Sequence, residues 1–189
     1  ALCPFRAFSD YRLSLKSYTP TLPTNVPSYA ERSICLHEIL KIVWESLKTQ
    51  SYLNQLGRFE LETLIKEKID QHIQHIAEKK PHLWKPIFTR TEKDRLFRLL
   101  SQWFEYEKSR PSFNVQALEY KNNLTLGPLK LSFIIDRVDQ LSNGYHLIID
   151  YKISSRPPAL KNWTGERPTE PQLPLYALSL PNTTQAIAW

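Results

Sequence analysis

The spacing of apolar residues changes once along this chain, at Pro111, and that change limits the fold more than any other feature. Before it, Leu36, Ile39, Leu40, Val43, Trp44 and Leu47 recur at helical steps behind Ser28-Tyr29-Ala30-Glu31, which reads as a capping box. This predicts a helix over 29–48. Mixed apolar and charged positions continue the pattern over 53–79, and Leu96, Leu99, Leu100, Trp103 and Phe104 repeat it over 92–108. After Pro111 the period becomes two, over 115–119, 129–139 and 145–153, as expected of strands. Residues 154–171 read as a proline-rich polar loop, and 171–180 as a helix entered through prolines. The chain is therefore expected to fold as a helical lobe followed by a sheet.

With 189 residues, 41% of them hydrophobic, there is material for one core, so 1–189 is expected to be a single domain. Its parts are a docking segment and linker over 1–28, where Pro4, Pro20, Pro23 and Pro27 surround a short helix at 5–15, then a lobe over 29–108 and a sheet core over 111–189. The absence of methionine and the apolar ending Ala186-Ile187-Ala188-Trp189 suggest a piece of a larger protein. The net charge of +6 suits a polyanionic partner. Cys3 and Cys35 form no CxxC pair, so neither a disulfide framework nor a zinc site is indicated, and a reducing cytoplasm is expected. No apolar run approaches the ~18 residues of a membrane span, and no signal-peptide layout opens the chain. No membrane partner is expected.

Two turns compete for Leu141-Ser142-Asn143-Gly144-Tyr145, between the second and third strands. A two-residue Asn-Gly turn would put Asp136 opposite Tyr151 and leave Asp136 and Asp150 on different faces. A three-residue loop with Gly144 left-handed pairs Leu141 with Tyr145 and brings Asp136 opposite Asp150. A one-residue slip exchanges the faces of a strand, so the apolar pattern arbitrates. The three-residue register collects Leu131, Phe133, Ile135, Tyr145, Leu147, Ile149 and Tyr151 on one apolar face, and it is the one expected.

Asp136 and Asp150 then share the other face at a cross-strand Cβ separation of roughly 5 Å, with Lys152 two residues on. Like charges so placed are destabilising without compensation. A divalent ion compensates, and hard oxygen ligands suit Mg²⁺ or Mn²⁺, with an adjacent lysine able to orient or activate water. The ordinary alternative is an exposed charged face in which Lys152 is a salt-bridge partner, and spacing alone leaves both readings open.

Ile135-Asp136-Arg137-Val138-Asp139, Ile149-Asp150-Tyr151-Lys152 and Pro171-Gln172-Leu173-Pro174-Leu175-Tyr176-Ala177 resemble, in order, the three motifs of the PD-(D/E)XK nuclease module of the RecB and AddB type. Upstream, Glu31-Arg32-Ser33-Ile34-Cys35-Leu36-His37 resembles the helix with a metal-binding histidine, and "LCPFRAFSDYRLSL" the N-terminal segment of that family. The resemblance spans nearly the whole chain and is closest to AddB-like probable DNA repair proteins. It implies a restriction-endonuclease-like α/β core, with a mixed, mostly antiparallel sheet flanked by helices.

The resemblance further implies that Asp136, Asp150 and His37 bind one or two Mg²⁺ or Mn²⁺ ions, that the Tyr151 carbonyl adds a ligand and that Glu119 serves a second ion. Lys152 would act at the attacking water, and Gln172 and Tyr176, four apart on one helix face, would reach the same substrate or support the same lysine. Arg137, Lys161 and Arg167 are candidate DNA phosphate contacts, and Trp163 a candidate for stacking on an unpaired base. The implied activity is metal-dependent DNA hydrolysis, as an exonuclease in repair and recombination in the bacterial cytoplasm, served by helicase-like domains of the parent chain or a helicase subunit. Its rivals are a catalytically inactive DNA-binding or scaffolding module and a plain interaction domain. Ile153-Ser154 replaces the family's usual Thr-Gly after the lysine, which implies a changed loop. Cys3 matches the first cysteine of an iron-sulfur site found in some relatives, but the other three are missing, so no cluster is expected in this fragment.

Overall fold

In the computed structural model, which describes residues 3–13, 25–153, 162–163, 168–180 and 184–188, five helices precede the sheet and one is inserted before its last strand. They are α1 (Pro4–Tyr11), α2 (Tyr29–Leu47), α3 (Gln50–Gln55), α4 (Arg58–Lys79), α5 (Pro86–Ser109), β1 (Phe113–Leu126), β2 (Leu129–Leu141), β3 (His146–Ile149), α6 (Gln172–Ser179) and β4 (Thr184–Ala188). The restriction-endonuclease-like α/β architecture expected from the sequence is the one observed.

Local chemistry sets most of the helix starts. Ser28 and Glu31 form the expected capping box at α2. The Thr49 hydroxyl accepts from the Tyr52 N–H at α3, Glu60 reaches back to the Gly57 N–H at α4, and Pro86 occupies the first turn of α5. The stripes of α2, α4 and α5 meet in one core of Ile39, Val43, Trp44, Ile65, Ile69, Leu96, Leu100 and Phe104, which Phe113 of β1 enters against Trp44. Val115 N–H donates to the Lys48 carbonyl, and the Gln50 amide binds the carbonyls that end α5, so the lobe and β1 are joined by hydrogen bonds as well as by packing.

The sheet order is β1-β2-β3-β4, antiparallel except for β4, which runs parallel to β3. The β2–β3 register is that of the three-residue loop: Arg137 pairs with Ile149 and Gln140 with His146. Leu141 N–H donates to the Tyr145 carbonyl and Gly144 carries φ +85°. The strand expected at 145–153 is shorter than its pattern, because after Ile149 the Tyr151 N–H leaves the ladder to donate to the Asp136 carboxylate, 2.7 Å away.

The single apolar face expected of β2 and β3 is divided. Phe133 and Ile135 pack with Val138, Ile148, Leu173 and Tyr176 around α6, whereas Leu118, Leu141, Tyr151 and Ile153 pack on the lobe. Between these regions the β1–β2 ladder passes from Leu118↔Arg137 to Tyr120↔Ile135 across Glu119, whose φ of +48° is left-handed. Opposite it β2 changes the side it presents: Ile135 packs towards α6, whereas Arg137, two residues on, meets Glu107 of the lobe.

Candidate active site

Asp136 lies within β2 and Asp150 just past the end of β3, where the β2–β3 register, continued one pair beyond Arg137 and Ile149, sets them opposite each other. Asp136 is held from two sides. Its Oδ2 accepts from the Tyr151 N–H and lies 3.4 Å from Nδ1 of His37, presented by α2. The carboxylate beside the ring raises the His37 pKa, against the opposing effect of burial. Nε2 of the same ring is buried without a hydrogen-bond partner.

Asp150 is 4% exposed. Its Oδ1 accepts from the Gln172 amide at 3.0 Å, and the same amide donates to the Tyr176 hydroxyl at 2.7 Å. Tyr176 in turn donates to the Ile134 carbonyl at 2.9 Å and stacks on Phe133. Helix α6 thus fixes one carboxylate oxygen. The other, Oδ2, is buried and accepts no hydrogen bond, with Lys152 Nζ 3.4 Å away. Burial, and then the charge of Asp136, raise the Asp150 pKa, while Lys152 and His37 oppose the rise. Oδ2 is in an ion pair with Lys152 and accepts no hydrogen bond, so a second cation could approach it without displacing a donor.

Glu119 joins the same electrostatic neighbourhood. Burial raises its pKa first, Asp136 and Glu38 add to the rise, and Lys41 and His37 oppose it. Its left-handed backbone is the kind of local strain that collects at functional sites.

The oxygen and imidazole donor set fits a hard divalent ion. Among the described residues no three His, Cys, Asp or Glu side chains converge into a complete metal cage. Mg²⁺ does not need one, since it retains several waters and is commonly held by one or two carboxylates plus a substrate phosphate.

Two expectations change. Arg137 is fully buried, so it is not a surface contact for DNA phosphate. Its guanidinium donates to Glu107, Asp139 and the Tyr151 hydroxyl and lies over the Trp44 ring at 3.8 Å. Tyr176 is 4% exposed with its hydroxyl engaged internally, and Gln172 reaches Asp150 and not Lys152, so this pair positions the carboxylate. Trp163 is half-buried against the α6 cluster. Lys161 and Arg167 lie outside the described residues.

The buried quartet Glu107, Arg110, Arg137 and Asp139 was not anticipated, although the sequence carried its signal. In the chosen register Arg137 and Asp139 fall on the face assigned to the apolar residues, where charges persist only in pairs. Through the Tyr151 hydroxyl this quartet anchors the residue whose N–H holds Asp136 and whose neighbours are Asp150 and Lys152.

The sequence profile of the PD-(D/E)XK nuclease superfamily matches residues 1–187. No curated protein matches the chain. Among the described residues no helix is long and apolar enough to cross a membrane.

Proposed function

The chain belongs to the PD-(D/E)XK nuclease superfamily, and on that premise we propose that it hydrolyses phosphodiester bonds of DNA with Mg²⁺ or Mn²⁺, as an exonuclease of the RecB and AddB type. The observation that carries this reading is Asp150: one oxygen is fixed by Gln172, and the other is buried, accepts no hydrogen bond and is in an ion pair with Lys152. Asp136, Asp150, His37 and the Tyr151 carbonyl would hold the ion, with Glu119 in reach of a second. When bound, the ion neutralises charge that builds on the phosphate and lowers the pKa of water. Lys152 aligns or deprotonates the attacking water, Gln172 and Tyr176 keep Asp150 oriented, and Tyr151 keeps Asp136 in place. Its setting is proposed to be bacterial cytoplasmic repair and recombination, where 1–189 forms one nuclease domain docked through 1–28, and helicase-like domains of a parent chain or a helicase subunit supply the DNA end.

The test is cleavage of end-labelled linear DNA with Mg²⁺ or Mn²⁺, with EDTA as control. Cutting should require the metal and fall about 10²–10⁴-fold in Lys152→Ala, with Asp150→Ala as low or lower. If wild type is inactive and calorimetry finds no Mn²⁺ binding that depends on Asp150, the inactive scaffolding module takes the place of the enzyme.

A further inference from the structure

The ribbon formed by β1 and β2 runs on past the short β3, which pairs only with 137–140, whereas β1 and β2 stay paired out to Leu126↔Leu129. One side of this extension is occupied. Phe133 packs on the Tyr176 ring at 4.9 Å, and the Asn122 amide donates to the Ser179 hydroxyl at 3.0 Å, so α6 holds the ribbon as well as Asp150. The other side is the one on which Asp136 meets His37 of α2. Side chains alternate along a strand, so Ile134, Ser132 and Lys130 follow Asp136 on that side, and their ladder partners Lys121, Asn123 and Thr125 lie beside them. All six are exposed. They cover roughly 20 Å of strand counted from Asp136.

The chemistry of that face is one-sided. Between Glu119 and Asp136 the chain has no acidic residue, and among the described residues neither Lys121 nor Lys130 is in an ion pair. The Ser132 hydroxyl donates to the Asn123 side-chain carbonyl at 2.7 Å, which leaves the Asn123 NH₂ to donate elsewhere. Two ammonium groups beside amide and hydroxyl donors, with no carboxylate among them, suit a chain of phosphates. The face is also continuous with Asp136, so a polyanion lying along it brings one of its phosphates to the paired carboxylates. We propose that the exposed face of the β1–β2 ribbon is a track for the DNA backbone, with Lys121 and Lys130 on phosphates to one side of the one held at Asp136 and Asp150. The inference rests on the nuclease reading and deepens it by naming the surface that steers DNA into the site. Contacts of this kind fix position without reading bases, so the track accepts any sequence.

Fluorescence anisotropy with the 189-residue chain tests this in EDTA, where no strand is cut, on a labelled DNA duplex carrying a single-stranded tail. Three double variants are compared with wild type: Lys121→Gln with Lys130→Gln, Lys121→Arg with Lys130→Arg, and Lys79→Gln with Lys85→Gln, which removes the same charge from exposed positions of the lobe. Losing two phosphate contacts should lower the slope of log K against log salt by about 1.4–1.8, and the affinity at 0.1 M salt by about tenfold or more. The arginine pair should bind like wild type. The lobe pair should lose less than about threefold, because charges beyond a Debye length of the DNA are screened. The proposal is overturned if wild type does not bind this DNA, if the ribbon glutamine pair loses no more than the lobe pair, or if the arginine pair loses as much as the glutamine pair. Metal-dependent cutting of the same DNA, measured in parallel, separates the two ideas, and there the ribbon glutamine pair should lose through KM. Cutting that ignores the ribbon lysines sinks the track alone, and lysine-dependent binding without cutting sinks the enzyme alone.

Discussion

Arg137→Met removes the centre of the buried quartet. All five N–H donors of Arg137 are used, two on Asp139, two on Glu107 and one on the Tyr151 hydroxyl. The two arginines and two carboxylates of the quartet sum to zero charge. Methionine leaves two carboxylates that are 0% exposed, Glu107 and Asp139, with Arg110 as their only cation within the quartet. Breaking a buried ion pair by removing one partner costs about 3–5 kcal/mol. For a chain of this size each kcal/mol lowers Tm by about 2–4 °C, so a fall of roughly 6–20 °C is expected. Adding Glu107→Gln should recover part of the loss, because one unmatched buried charge disappears. The assay is urea unfolding followed by circular dichroism, supported by thermal melts. A loss below about 1 kcal/mol for Arg137→Met, or no recovery in the double variant, would refute the view that these carboxylates depend on Arg137 for their charge balance.

Glu92 should report on pH. Burial raises its pKa, but hydrogen bonds from Arg95 and Arg32 outweigh this and hold it below the ordinary carboxylate value. A depressed carboxyl contributes stability above its unfolded pKa and loses it as pH falls through the folded value, so the gap in urea midpoint between wild type and Glu92→Gln should be widest near neutrality and close below about pH 4.5. Cys35 is 2% exposed, and burial, with Glu92 nearby, pushes its thiol up to about 12. Cys3 is exposed. A thiol titration of native protein near pH 8 should therefore show one fast thiol, with the second appearing only on unfolding. Gly144→Ala should cost about 1–2 kcal/mol in chemical denaturation, because φ is +85° there and an added Cβ meets nothing within 4 Å, leaving only the backbone penalty.

Several parts of the fold were legible in the chain itself, since they depend on near neighbours. The Ser28–Glu31 box, the α2 and α5 stripes and the change of period at Pro111 are local signals, and each gave the element it announced. The β2–β3 register could also be read, because Gly144 and the alternating pattern act within one hairpin. Locally encoded signals of this kind require no knowledge of what packs on top. That same register sets Asp136 of β2 beside Asp150 and Lys152, which follow the end of β3.

Tertiary structure decided how those residues are used. No spacing rule separates an exposed charged face from a carboxylate sealed to 4% exposure, because the seal comes from α6, more than twenty residues downstream. Nor could alternation reveal that β2 divides its face between Ile135 and Arg137, or that Arg137 points into the lobe to meet Glu107 from α5. A strand pattern records which side of the pleat a residue occupies and nothing about what covers that side. Desolvation and charge pairing depend on that cover, and they set both the pKa of Asp150 and the burial of Arg137. The sequence by itself determined the elements, their register and the chemical types at the site; packing of the lobe and α6 on the two sides of the sheet determined which charges gather at the candidate site and which hold the structure together.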